Sequence, residues 1–289
     1  MKVEIKHLLL KSIQLKNAHD TVVLNNEVFV RQDQQAVFMR QYKSGKFLPC
    51  YENHFQPSEK NKWRNRQMKK ELLHSCPELI DYINEIGFLP LLPMGIPGWS
   101  AEECVDEDCQ YTPLAEGGWE WPLWKWKGAI LQESGCAYGK FFDRKAAFIS
   151  REWWPDFCNY RRSVCPRPAE GSIEESILDI LRTEGSLITR ELRAACGFTG
   201  TKMRSKFDAY LTRLEMGGYI VTEDFIYPHD RHGRKYGWGW SLLTTPEALF
   251  GKEACHPERT PQESYERLTA HFRKVLPDPS GRLYDFLLK

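Results

Sequence analysis

Residues 172–245 carry secondary-structure signals whose order admits few folds. Ser172 and Glu175 have the spacing of a capping box, and the apolar residues that follow repeat with helical periodicity until Gly185. A short run of residues, 186–188, then has the composition of an extended segment. This stretch therefore predicts a helix followed by a short strand.

Two further helices and a hairpin complete the order. We expect Thr189 to cap the second helix and Gly197 to end it. Apolar residues of the third helix are spaced by four, four and three positions: Met203, Phe207, Leu211 and Leu214. Residues 219–227 and 236–245 then favour two strands joined by a basic loop around Gly233, which tolerates the positive φ of a tight turn.

Helix, strand, helix, helix and hairpin is the order of a winged helix-turn-helix domain. We therefore expect an α+β, helix-rich fold with one such domain or two in tandem, joined to an aromatic-rich helical and hairpin unit. In DNA-binding domains of this kind, a helix enters the major groove while a flexible arm reaches the adjacent phosphates. The order of elements thus predicts binding to double-stranded DNA.

Candidate DNA contacts lie in the third helix and in the loop, which we call the wing. The helix candidates have short or basic side chains off the apolar stripe: Lys202, Ser205, Lys206, Thr212 and Arg213. The wing candidates are Arg231, His232, Arg234 and Lys235. A solvated basic loop or a protein-contact module remains an alternative, because residues 170–251 hold 10 Lys and Arg against 12 Asp and Glu.

The rest of the chain divides by composition around a proline-rich linker at 166–172. We expect four regions: a basic and mostly helical segment at 1–75, a tryptophan-rich α+β unit at 76–168, the winged-helix domain at 169–251, and a docked C-terminal helix at 252–289. The first region has 14 Lys and Arg against 7 Asp and Glu, whereas residues 76–130 have 2 against 10. Near-neutral net charge therefore does not exclude a nucleic-acid surface.

Tryptophans are concentrated at two places. One group falls within eight residues: Trp119, Trp121, Trp124 and Trp126. We expect these side chains to form core at a domain junction, with a stacking surface for bases or a ligand as the alternative. On the strand that returns from the wing, we expect Tyr236, Trp238 and Trp240 to be core.

Three segments resemble a known family: "YGKFFDRKAAFISREWWPDFCNYRR", "LTRLEMGGYIVTEDF" and "YGWGWSLLTTPEALFG". They are similar to a bacterial group labelled AlkZ-related, which distantly resembles winged-helix DNA glycosylases of the AlkZ and YcaQ kind. The similarity spans roughly residues 76–274. It implies winged-helix units around DNA. It also implies a catalytic triplet, a glutamine, an apolar residue and then a glutamine or aspartate, which positions the attacking water.

The comparable triplet here is Gln32, Asp33 and Gln34, which has an aspartate in the apolar position. Gln32 and Gln34 are therefore the candidate catalytic residues, with a polar helix start as the alternative. The function hypotheses are thus a winged-helix DNA-binding protein related to DNA repair, an N-glycosylase acting on alkylated or crosslinked bases, and a protein-interaction module.

Other chemistry is not indicated. Nine scattered cysteines without secretory features suggest reduced thiols in a cytoplasmic protein, and the Cys104 and Cys109 spacing does not favour a metal site. We expect no cofactor. We also expect no membrane partner, because no apolar run is long enough to span a bilayer. The oligomeric state stays open.

Overall fold

The computed structural model describes residues 71–113, 119–200, 203–233, 237–276 and 288, with the backbone alone at 113 and 119. It also describes the backbone of the strands at 21–24, 27–32, 35–41 and 47–49. The chain divides into two compact units, Met1–Glu59 and Lys60–Lys289. The finer division into four regions stays a prediction.

The first unit contains an antiparallel sheet in the order β1-β2-β3-β4. Its strands are β1 (Thr21–Leu24), β2 (Glu27–Gln32), β3 (Gln35–Gln41) and β4 (Phe47–Pro49). The mostly helical expectation for residues 1–75 is wrong for this described part. The physical reason is the local composition, since "EVFVRQ" and "QAVFMRQ" each contain consecutive apolar residues that include β-branched valine and aromatic phenylalanine.

In the second unit, a helix and a small sheet organise the larger core. Helix α1 (Cys76–Ile86) begins after Ser75, whose side chain accepts a hydrogen bond from the Glu78 backbone N–H. The sheet has the order β5-β9-β8, from β5 (Phe88–Pro90), β8 (Ala137–Phe142) and β9 (Lys145–Ile149).

Three helices and a short strand pair complete this part of the chain. They are α2 (Ala101–Cys104), β6 (Thr112–Pro113), β7 (Trp119–Glu120), α3 (Pro122–Ser134) and α4 (Trp154–Val164). Trp99 is fully buried and donates its indole N–H to the Phe88 carbonyl at 2.8 Å. Phe88 also packs on Phe272 with ring centroids 4.7 Å apart, so the C-terminal region completes this core.

A second, smaller core follows the predicted element order. Its elements are α5 (Ile173–Glu184), β10 (Leu187–Ile188), α6 (Thr189–Ala195), α7 (Arg204–Met216), β11 (Val221–Ile226) and β12 (Trp240–Thr244). The three strands form an antiparallel sheet in the order β10-β12-β11. Phe207, Leu211 and Leu214 of α7 are buried against α5, which confirms most of the predicted stripe. Met203 precedes α7 and is 40% exposed instead.

One predicted cap differs. Thr189 is the first residue of α6 rather than its cap, and its hydroxyl donates to the Ser241 carbonyl at 3.4 Å. The position before it, Ile188, makes no side-chain cap because it is paired with Leu242 in the sheet. Strand pairing across 54 positions therefore decides where this helix begins.

Two consecutive arginines join the two cores. Arg161 Nε donates to the Met216 carbonyl at 2.6 Å, and Arg162 donates to the Gly218 carbonyl from Nε at 3.2 Å and from Nη2 at 2.9 Å. Cationic groups are favourable where a helix leaves its last carbonyls without partners. Helix α4 is thereby fixed to the carboxyl end of α7.

The C-terminal region docks on α4. Helix α8 (Pro246–Phe250) leads to α9 (Pro261–Val275), whose N-terminus has a capping box formed by Thr260 and Glu263. Asp156 of α4 is buried and accepts hydrogen bonds from Arg259, Ser264 and Arg267. None of the described helices is long and apolar enough to cross a membrane.

Candidate nucleic-acid interface

The amino end of α7 presents an exposed face that opposes its buried stripe. Ser205, Lys206 and Ala209 are exposed, as is Arg204 at the first position. The structure thus brings Ser205 and Lys206 together on a solvent-facing surface. Lys202 lies outside the described residues.

Further along α7, two candidate side chains have partners within the protein. The Thr212 hydroxyl donates to the Asp208 carbonyl at 2.8 Å and lies 3.4 Å from Lys140 Nζ of strand β8. Arg213 Nε donates to Glu174 of α5 at 2.9 Å, and its guanidinium lies 4.7 Å from the Tyr210 ring centre. Helical periodicity predicted that these residues lie off the buried stripe, but it cannot predict partners that are distant in the sequence.

A buried carboxylate lies behind the same end of α7. Glu215 is 6% exposed, and its carboxylate is 3.5 Å from Lys140 Nζ. Burial raises the pKa of Glu215 by disfavouring the charged form, while Lys140 opposes that shift. The carboxyl half of α7 therefore packs against the rest of the protein, and the candidate nucleic-acid contact surface is limited to its first turns.

The described part of the wing forms a tight turn with two exposed candidates. The Gly233 backbone donates to the Asp230 carbonyl at 3.0 Å, and Gly233 has a φ of 77°, as expected for this position. His232 and Arg231 are exposed, and Arg231 Nε lies 3.0 Å from His232 Nε2. Arg234 and Lys235 lie outside the described residues.

On the returning side of the wing, the expectation of core is wrong. Trp238 is 57% exposed and Trp240 is 39% exposed, while Tyr236 lies outside the described residues. Trp240 faces a cation instead, since the Arg190 guanidinium lies 5.1 Å from its ring centre. Trp238 precedes β12 and Trp240 is its first residue, whereas the buried part of this strand begins only at Leu243.

Trp238 joins an aromatic patch that we define as Tyr111, Trp121, Trp124 and Trp238. The ring centroid of Trp238 lies 6.3, 6.1 and 5.3 Å from those of Tyr111, Trp121 and Trp124, respectively. The Trp124 indole N–H donates to the Trp238 carbonyl at 2.9 Å, across 114 positions of sequence. The wing is thereby held at this point against α3.

The expectation that the tryptophan cluster forms core is met in part. Trp121, Trp124 and Trp126 are partly buried at the edge of the larger core, and the Trp119 side chain lies outside the described residues. Beneath them, Lys127 is 1% exposed, with Nζ 3.1 Å from the Trp124 ring centre and 4.0 Å from that of Phe225. Burial lowers the pKa of Lys127 to about 7.

The candidate catalytic pair lies in the other unit. Gln32 is the last residue of β2 and pairs with Gln35 of β3, so the alternative of a polar helix start is wrong there. Gln34 lies outside the described residues, and the catalytic assignment stays a prediction. Among described residues, no group of three or more His, Cys, Asp or Glu side chains is arranged to hold a metal ion.

The chain belongs to the AlkZ-related family, whose model matches residues 73–288. No curated protein matches it. Among solved structures, it is similar to the Streptomyces sahachiroi DNA glycosylase AlkZ, with 10% sequence identity and a TM-score of 0.44. That match covers 74% of this chain and 55% of the other, so the chain spans just over half the length of that protein.

Proposed function

We propose that this protein is a winged-helix DNA-binding protein that contacts double-stranded DNA through the first turns of α7 and through the wing. The observation that carries the proposal is Lys206, which is exposed beside Ser205 on a helix whose opposite face is buried in a small core. A short hydroxyl and a flexible cation suit base-edge and phosphate contacts.

The arrangement of elements supports this role. Helix α7 is the third helix of the group and is followed directly by the hairpin β11-β12, whose loop carries Arg231 and His232. Membership of the AlkZ-related family supports a role connected with DNA repair. Thr212 and Arg213 contribute mainly by holding α7 against β8 and α5.

Duplex binding at several salt concentrations tests the proposal. Lys206→Ala should weaken binding several-fold and reduce the slope of log K against log salt by about 1, because one phosphate contact is lost. Arg231→Ala should act in the same direction. Lys274→Ala is the matched control, since it removes an exposed cation from α9 instead.

Thr212→Ala separates contact from packing. Its hydroxyl lies beside Lys140 and donates to the Asp208 carbonyl, so we expect the duplex affinity at each salt concentration to stay at the wild-type value. An affinity that is insensitive to salt, or a Lys206→Ala variant that binds like wild type, would refute the proposed surface.

A second candidate is an N-glycosylase acting on alkylated or crosslinked bases. The half-exposed aromatic patch beside the wing favours it, because enzymes of this class extrude a base and need apolar surface near the opened stack. Release of bases from alkylated duplex, measured as abasic sites, tests the class. Undiminished release by the Gln32→Ala, Gln34→Ala double variant would remove those two residues from the mechanism.

A further inference from the structure

A cavity of about 370 Å³ lies among α4, the following linker, α5 and α7. Its wall includes Cys165 and Ala169 of the linker, Ser172 before α5, and Met216 at the end of α7. Two prolines, Leu214 and Tyr219 supply further surface, together with the ion pair of Glu174 and Arg213. This volume falls within the range of small-molecule sites, about 300–1,000 Å³.

Arg161 also lines this cavity, and it is an unusual wall residue. Its side chain is fully buried, and Nε alone is used, toward the Met216 carbonyl. Within the described part of the chain, neither Nη1 nor Nη2 has a hydrogen-bond partner. Burial lowers the pKa of Arg161, but a guanidinium remains charged at neutral pH.

An unpaired buried cation is costly, because it has lost its hydration without gaining an acceptor. Solvent does not reach the two Nη atoms, so bulk water cannot supply the missing acceptors. Residues 165–169, several of which line the cavity, form neither helix nor strand. A ligand can pair with Arg161 only after the surroundings of the two Nη atoms rearrange to make them accessible. Arg161 Nη1 and Nη2 are therefore two buried donors without acceptors beside the cavity.

The surroundings favour a negative ligand. Helix α5 begins at the cavity, and the amino end of a twelve-residue helix carries partial positive charge. The wall contains one carboxylate, Glu174, which is already paired with Arg213. Arg161 is therefore the charge that lacks a counter-charge at this place.

We propose that this cavity binds a small organic oxyanion, a carboxylate or a phosphate on a compact apolar body, with the Arg161 guanidinium as its anchor. The planar fork of donors matches two oxygens of either group. The apolar wall accommodates the body of the ligand.

Calorimetric titration of the full chain with benzoate and, separately, with phenyl phosphate tests the site at constant ionic strength. We expect saturable one-to-one binding of at least one anion, and the two arms distinguish carboxylate from phosphate recognition. Arg161→Lys keeps the charge but removes the fork, so it should weaken binding at least tenfold.

Ala169→Trp provides a test that leaves Arg161 intact. Ala169 is exposed in the linker, and an indole there fills the cavity, so binding should again fall at least tenfold. Ala195→Trp places the same side chain at an exposed position of α6 outside the cavity and should bind like wild type. Absence of saturable binding of both anions to wild type, or wild-type binding by Ala169→Trp, would overturn the proposal.

Discussion

At Lys127, burial and aromatic contact act on one ammonium group in opposite directions. Proximity to the rings of Trp124 and Phe225 favours the charged form by about 2 kcal/mol. Removing an ammonium from water without a counter-ion costs several kcal/mol, and no described carboxylate pairs with Lys127. Desolvation is therefore the larger effect, and the pKa of Lys127 stays lowered, to about 7.

Lys127→Met should stabilise the protein at neutral pH. Between about pH 7 and the ordinary lysine value near 10.4, the unfolded chain holds a proton that the folded chain has released, so wild-type stability rises with pH. Methionine removes this dependence, and the gain over wild type should narrow toward about pH 10. Urea denaturation across this range measures both quantities.

Lys125→Met is the control for that measurement. Lys125 is exposed and pairs with Glu120 at the surface, so its replacement should leave the pH slope unchanged. A Lys127→Met variant with the wild-type slope would mean that Lys127 ionises alike in the folded and unfolded chains.

Among the elements, local signals were reliable where the contacts themselves are local. The caps at Ser75, Ser172 and Thr260 and the buried stripe of α7 follow from spacings of three and four residues, and the structure contains them. Trp238 and Trp240 were misjudged because alternation assigns two faces to a strand without saying which face is covered. Thr212 was assigned to an open surface because its neighbour Lys140 is 72 positions away.

Docking of α9 depends on the buried Asp156 carboxylate. Asp156→Asn removes the charge that Arg259 Nε reaches at 2.9 Å and Arg267 Nε at 3.0 Å, so we expect a loss of unfolding free energy on the order of 3 kcal/mol. Denaturant titration measures it. Asp179→Asn breaks only an exposed pair with Arg182 and should cost less than about 1 kcal/mol. Equal losses of unfolding free energy in the two variants would contradict this role of Asp156 in docking α9.

Across residues 71–276, contacts between the two cores make α7 part of a larger assembly. Arg161 and Arg162 hold its carboxyl end, and Glu215 pairs with Lys140 of the β8-β9 hairpin. Such pairs join positions 55 to 75 residues apart, so no window of sequence could have predicted them. The sequence did predict the elements that these contacts connect, and it left their mutual orientation open.

If the wing contacts DNA as proposed, the hydrogen bond between the Trp124 indole and the Trp238 carbonyl has a kinetic consequence. A loop anchored at an internal point samples fewer conformations than one held only at its two strands. The wing then loses less conformational entropy when it binds a duplex, and the complex is correspondingly more stable. Its benefit would therefore be expressed mainly as a longer residence time on DNA.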